Sequence, residues 1–177
     1  MVKGWDKVRG ELLADYRILR VREDRSRSPR TGVEHDFIVL EMADWINVVP
    51  VTREGRVVMI RQYRHGTREV GLEIPGGVVE VGETPLHAAR RELLEETGYA
   101  ADDIAPIGQV APNPAIQDNR CYSFLAKGAY GAGGQALDEG EDIEVVEIEP
   151  ARIARLIETG EISHGLVVVA LRFAGFF

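Results

Sequence analysis

The stretch from Gly77 to Tyr99 constrains this chain more than any other: Gly-Val-Val-Glu-Val-Gly-Glu-Thr-Pro-Leu-His-Ala-Ala-Arg-Arg-Glu-Leu-Leu-Glu-Glu-Thr-Gly-Tyr. It predicts a helix over Thr84 to Thr97. Thr84 caps the start, Pro85 suits the first helical position, and Gly98 takes the left-handed conformation that ends it. Leu86, Ala89 and Leu93 recur at i, i+3, i+7 and read as the core-facing stripe. Glu92, Glu95 and Glu96 fall within one turn and are expected to project together, away from that core.

Such a helix works against itself. Like charges at i,i+3 and i,i+4 repel by roughly 0.2–0.5 kcal/mol per exposed pair. The acids also crowd the helix C-terminus, where the macrodipole disfavours anions. Carboxylates gathered without Cys or His point to a hard cation, Mg²⁺ with Mn²⁺ as a substitute. Before the helix, Pro75-Gly76-Gly77 reads as a tight turn with bare backbone, so the Gly76 carbonyl can approach the same cation. Glu83 and Arg91 can pair to tie that loop to the helix, a structural role. A solvated acidic surface helix is the alternative, and the register of cap, turn and acids argues against it.

Around this helix the chain reads as strands, then helices. Leu12 to Val21 and Asp36 to Met42 read as strands joined by a polar turn over Arg25 to Gly32. Trp45 to Thr52 and Arg56 to Tyr63 form a second pair around Glu54-Gly55. Val70 to Ile74, Ile107 to Val110, Arg120 to Ala126 and Ile143 to Ile148 are further strands. Pro150 to Thr159 and Gly165 to Ala174 read as terminal helices. The expected fold is α/β (α+β), a mixed sheet packed between helices, with an N-terminal antiparallel β segment over residues 1–44 and the main domain over 45–177.

A net charge of −8 argues against a nucleic-acid partner, which needs a basic face. It leaves room for a small anionic substrate, because one bound cation inverts the field of an acidic site. The single cysteine, Cys121, excludes an internal disulfide and reads as a buried strand thiol. No secretory signal is evident at Met1, and the apolar run Gly165 to Phe177 is too short for a bilayer, so the expectation is a cytoplasmic protein without a membrane partner.

The Gly77–Tyr99 stretch resembles the Nudix box, Gly-x5-Glu-x7-Arg-Glu-U-x-Glu-Glu-x-Gly-U with U aliphatic. Gly77, Glu83, Arg91, Glu92, Glu95, Glu96 and Gly98 fill every fixed position; Tyr99 departs at the last, which bears on packing past the cap. Beyond the box, the chain is similar to the branch that hydrolyses ADP-ribose and nucleoside diphosphate sugars. Gln62-Tyr63-Arg64 with Leu72-Glu73-Ile74 resembles the segment whose Arg and Glu position substrate. Pro114 stands where ADP-ribose hydrolases carry a proline, although Ala115 follows where Gly is usual. Asp138 to Ile143 resembles the acidic loop that supplies a base.

The resemblance implies a Mg²⁺-dependent hydrolase that cleaves the diphosphate into a nucleoside monophosphate and a sugar phosphate. Gly76, Glu92, Glu95, Glu96 and Glu141 would hold metal. Glu139 would act as base, with Glu141 and Glu95 assisting. Arg64, Glu73, Pro114 and Trp45 would contact substrate. Arg64 offers a planar fork for phosphate or is a plain strand arginine, Trp45 stacks on a base or packs in the core, and the acidic loop is catalytic or merely solvated. The family further implies a homodimer built on the N-terminal β segment, about Glu11 to Met42. Two rival functions remain at this level: hydrolysis of oxidised nucleoside triphosphates or dinucleotides, and nucleotide sensing without turnover.

Overall fold

The computed structural model describes residues 1–177 and falls into two compact units. The first comprises Met1–Ala43 and Ala111–Arg120, the second Asp44–Val110 and Cys121–Phe177.

In the first unit β1 (Asp6–Tyr16), β2 (Leu19–Arg27) and β3 (Glu34–Glu41) form an antiparallel sheet in the order β1-β2-β3. One strand from Leu12 to Val21 was expected; instead the chain turns at Arg17-Ile18, and Tyr16 pairs with Leu19. No Gly, Pro or Asn marks that turn, so apolar alternation runs straight through it. Arg25 to Arg27, expected in a turn, extend β2, and the turn begins at Ser28, whose Oγ accepts from the Arg30 and Thr31 amides. The arginine-rich stretch is matched by acids: Arg22 bonds Asp24 and Glu41, Arg25 bonds Asp36, Arg27 bonds Glu34. Exposed pairs of this kind contribute about 0–1 kcal/mol each and mainly set register.

The second unit carries an eight-stranded sheet. Its strands are β4 (Trp45–Thr52), β5 (Val57–Arg64), β6 (Glu69–Glu73), β7 (Gly76–Val78), β8 (Tyr99–Ala100), β9 (Asp103–Val110), β10 (Cys121–Gly131) and β11 (Ile143–Ile148). The helices are α1 (Pro85–Thr97), α2 (Pro150–Glu158) and α3 (Gly165–Phe173). The central path is β11-β5-β4-β10-β8, with β4 and β10 parallel and the other pairs antiparallel. Side chains alternate along a strand, so β4 feeds two cores. Ile46 and Val48 pack with Ala88, Ala89 and Leu93 of α1. Val49 packs with Ile153 and Leu156 of α2 and with Val167, Ala170 and Leu171 of α3. The sheet is therefore mixed and lies between helices, the expected fold class. No helix is long and apolar enough to cross a membrane.

Pro75-Gly76-Gly77, read as a turn, instead leads into β7, which pairs with β4 through Asn47–Gly76 and Trp45–Val78. A side chain at Gly76 would come within 2.5 Å of the Ile46 carbonyl. Only glycine lets the backbone approach that closely.

Candidate active site

Helix α1 forms as its sequence dictates. Thr84 Oγ accepts from the His87 amide at 3.3 Å, and Gly98, at φ 71°, returns its N–H to the Leu94 carbonyl at 2.8 Å. Its buried face differs from the expected stripe. Ala88, Ala89, Leu93, Glu96 and Thr97 are buried, whereas Leu86 is exposed. Glu96 lies three residues past Leu93 and seven past Ala89, so helical geometry puts it on the core face. The expectation that all three acids leave the core together is thus corrected: Glu96 is only 3% exposed.

Burial has a large electrostatic consequence. The Glu96 carboxylate accepts one backbone hydrogen bond, from the Gly76 amide at 2.8 Å. Burial pushes its pKa up to about 8; the Gly76 bond and Arg64 oppose the rise, while the charges of Glu92 and Glu141 add to it. Glu92 is raised as well, first by burial and then by Glu95 and Glu141, against the pull of Arg91. The Glu92 carboxylate rests over Gly77, where a Cβ would fall 2.1 Å from Oε1. Both glycines ahead of the helix are thereby explained: one donates to Glu96, the other leaves room for Glu92.

Arg91 binds the loop to the helix. Its guanidinium bonds both Glu83 oxygens at 3.1 and 3.0 Å, the Val78 carbonyl at 3.0 Å, Glu92 at 2.8 Å and Glu95 at 3.1 Å. Arg91 holds the Glu83 carboxyl down at about 2, with its burial opposing and His87 and the Glu80 amide helping. Here Glu95 is the most exposed of the helix acids. No three His, Cys, Asp or Glu side chains converge in a metal-ligating arrangement: Arg91 spans Glu92 and Glu95, and Glu96 turns to Gly76.

Across the sheet, Arg64 at the end of β5 and Glu73 at the end of β6 form a two-bonded pair, Nε–Oε1 2.9 Å and Nη2–Oε2 2.8 Å. His164, which sequence reasoning passed over, places Nδ1 2.9 Å from Glu73 Oε2. Burial alone would raise Glu73, but the bonds from Arg64 and His164 outweigh it and hold the carboxyl at about 2. Nothing in the sequence links His164 to Glu73, ninety-one positions earlier; its place just ahead of α3 was the only local signal.

A cavity of about 350 Å³ opens among these groups, walled by Trp45, Asn47, Arg64, Glu73, Gly76 and His164. Trp45 is half-buried and stands on its wall. Cys121 also lines it as a buried thiol that burial pushes up to about 11. The acidic loop contributes unequally. Glu141 is half-buried, accepts from the Asp138 amide at 3.1 Å, and its charge acts on Glu92, Glu96 and Arg64. Glu139 is exposed near the loop tip. Pro114 lies in an exposed turn of the first unit. The second unit therefore places Trp45, Arg64, Glu73 and Gly76 on one cavity wall, sets Glu96 and Glu92 against Gly76 and Gly77 of that wall, and leaves Glu95 and Glu139 toward solvent.

Residues 43–167 match the model of a family described as NUDIX domain. An ADP-ribose pyrophosphatase of Bacillus subtilis (strain 168) is 33% identical over 129 residues, 72% of this chain and 70% of that protein. A GDP-mannose pyrophosphatase of Enterobacter sp. (strain 638) is 28% identical over 177 residues, 94% of this chain and 92% of that protein. A crystal structure of an ADP compounds hydrolase superposes with a TM-score of 0.85 at 23% identity, over 98% of this chain and 94% of that one. That last likeness speaks to the fold alone.

Proposed function

The chain belongs to the NUDIX family, and we propose on that premise that it hydrolyses the diphosphate bond of ADP-ribose or a nucleoside diphosphate sugar, releasing a nucleoside monophosphate and a sugar phosphate. The observation that carries this reading is the buried Glu96 beside Glu92, both seated against the Gly76–Gly77 backbone that forms one wall of the cavity holding Trp45 and Arg64. The ADP-ribose and GDP-mannose pyrophosphatases among the relatives point to the same substrate class.

The donor set fits a divalent cation. It is all oxygen and acid-rich, and burial with the charge of neighbouring acids raises Glu92 and Glu96, a penalty that a bound cation relieves. Glu92, Glu95, Glu96, Glu141 and the Gly76 carbonyl would hold Mg²⁺ or Mn²⁺. Once bound, such ions offset the diphosphate charge and acidify a water. Arg64, its planar fork fixed by Glu73, orients the substrate phosphates. Trp45 offers an aromatic face to the base. Glu139 takes the proton from the attacking water, and Glu141 anchors the 138–142 loop among the acids.

A homodimer would form on the first unit, where Val8, Leu12, Phe37 and Ile38 stand exposed on the three-stranded sheet. Light scattering at twice the chain mass is the expected result, and a monomer rejects it. The lone buried Cys121 suits a reducing cytoplasm. Released phosphate ester scored for ADP-ribose, GDP-mannose, ADP-glucose and 8-oxo-dGTP, each with Mg²⁺ and with chelator, tests the main reading. Metal-dependent turnover of the first three is expected; turnover of 8-oxo-dGTP alone, or binding without product, overturns it.

A further inference from the structure

Two cavities meet at three residues. The first, of about 350 Å³, is largely apolar and aromatic; the second, of about 520 Å³, is walled by polar groups including Arg61, His65, Thr67 and Ser163. Arg64, Glu73 and His164 belong to both walls. A substrate with an apolar-faced base at one end and a sugar at the other has its anionic linker where such a partition stands.

His164 is built for that position. Its side chain is 44% exposed, while the Glu73 carboxylate behind it is 4% exposed. A carboxylate held at about 2 only accepts hydrogen bonds, so Nδ1 carries the proton and Nε2 faces away from Glu73. Arg64 commits Nε and Nη2 to the same carboxylate, leaving Nη1. Glu73 thus orients two donors side by side, an arrangement in which the outer group is held for use by the buried one.

We propose that His164 is a substrate-contacting residue, binding an anionic phosphate oxygen through Nε2 beside the Arg64 guanidinium. This rests on the reading of the cavity as the site of a nucleoside diphosphate sugar. The charged and titratable groups that line the second cavity with His164 are Arg61 and Arg64 of β5, His65 just past it, Glu69 and Glu73 of β6, and Glu161 on the loop before α3. As imidazolium, Nε2 donates to phosphate; as neutral imidazole with Nδ1–H on Glu73, it offers only a lone pair.

The test is steady-state kinetics of wild type, His164→Ala and His164→Gln with ADP-ribose and GDP-mannose, at about pH 6. His164→Ala raises KM about tenfold, the worth of one charge-assisted hydrogen bond, with kcat changed less than about threefold. His164→Gln, which keeps a donor, recovers part of the loss. An unchanged KM overturns the inference while leaving the enzyme reading intact. So does a parallel loss of kcat, KM and Tm that glutamine fails to rescue, the mark of a structural role. If wild type cleaves none of the substrates, the enzyme reading fails, and the ¹⁵N shift of the His164 ring on titration with inorganic pyrophosphate decides: a saturable shift of Nε2 upholds the contact, no shift removes it.

Discussion

Glu73 and Glu96 are equally buried, each 3% exposed, yet one carboxyl sits at about 2 and the other at about 8. Desolvation heads the causes at both. The partners differ. Glu73 accepts from Arg64 and His164, two cation-forming groups. Glu96 accepts from one amide and feels Glu92 and Glu141, two further acids. The pair teaches that burial alone does not assign a role. An acid satisfied by the protein orients its partners, whereas an acid set among acids is completed from outside the chain.

The sharpest way to break this contrast is to neutralise Glu96. In Glu96→Gln the amide keeps size and packing but loses the charge a cation needs, so kcat is expected to fall about a thousandfold, or ~4 kcal/mol of barrier, with the far-ultraviolet spectrum unchanged. Thermal melts carry the second half. Mg²⁺ at about a hundred times its dissociation constant should stabilise wild type by about 2.7 kcal/mol and Glu96→Gln far less. A variant with near-normal turnover, or an equal Mg²⁺ shift in both proteins, would sink the assignment of Glu96.

The acidic loop sharpens the comparison at lower amplitude. Glu139→Gln should lower kcat about a hundredfold with the Mg²⁺ requirement little changed, as loss of a general base does. Glu141→Gln should lower kcat about tenfold and raise the Mg²⁺ concentration needed, because its charge acts on Glu92 and Glu96. The reverse order of losses transfers the base to Glu141.

Much of this contrast was legible along the chain, and the missing part was long-range. The cap at Thr84, the stop at Gly98 and the Glu83–Arg91 tie are local chemistry at fixed spacing, and the structure has them. The burial of Glu96 was readable in principle, since Ala89, Leu93 and Glu96 share one helical stripe, but counting Leu86 into that stripe turned the acids outward. β7 is hidden from sequence because Gly76-Gly77 lacks the side chains that announce a strand. The Arg17-Ile18 turn carried no turn residue at all. His164 meets Glu73 only because the loop before α3 returns to the end of β6, and no local pattern encodes that meeting.

Glu73 supplies the smallest effect and the most direct check on sign. Its folded pKa of about 2 lies below the ordinary 4.5, so between these values the unfolded chain binds more protons than the folded one. The stability this acid contributes is therefore complete above about pH 4.5 and drains away as pH falls toward about 2. Glu73→Gln removes the titration and leaves Arg64 and His164 without their shared anion, at a cost of about 2 kcal/mol near neutral pH. Denaturant melts of the two proteins should consequently stand apart at about pH 7 and lose most of that gap by about pH 2.5. A gap that holds constant over that range would mean that Glu73 is supported by packing instead of charge, and would erase the difference from Glu96.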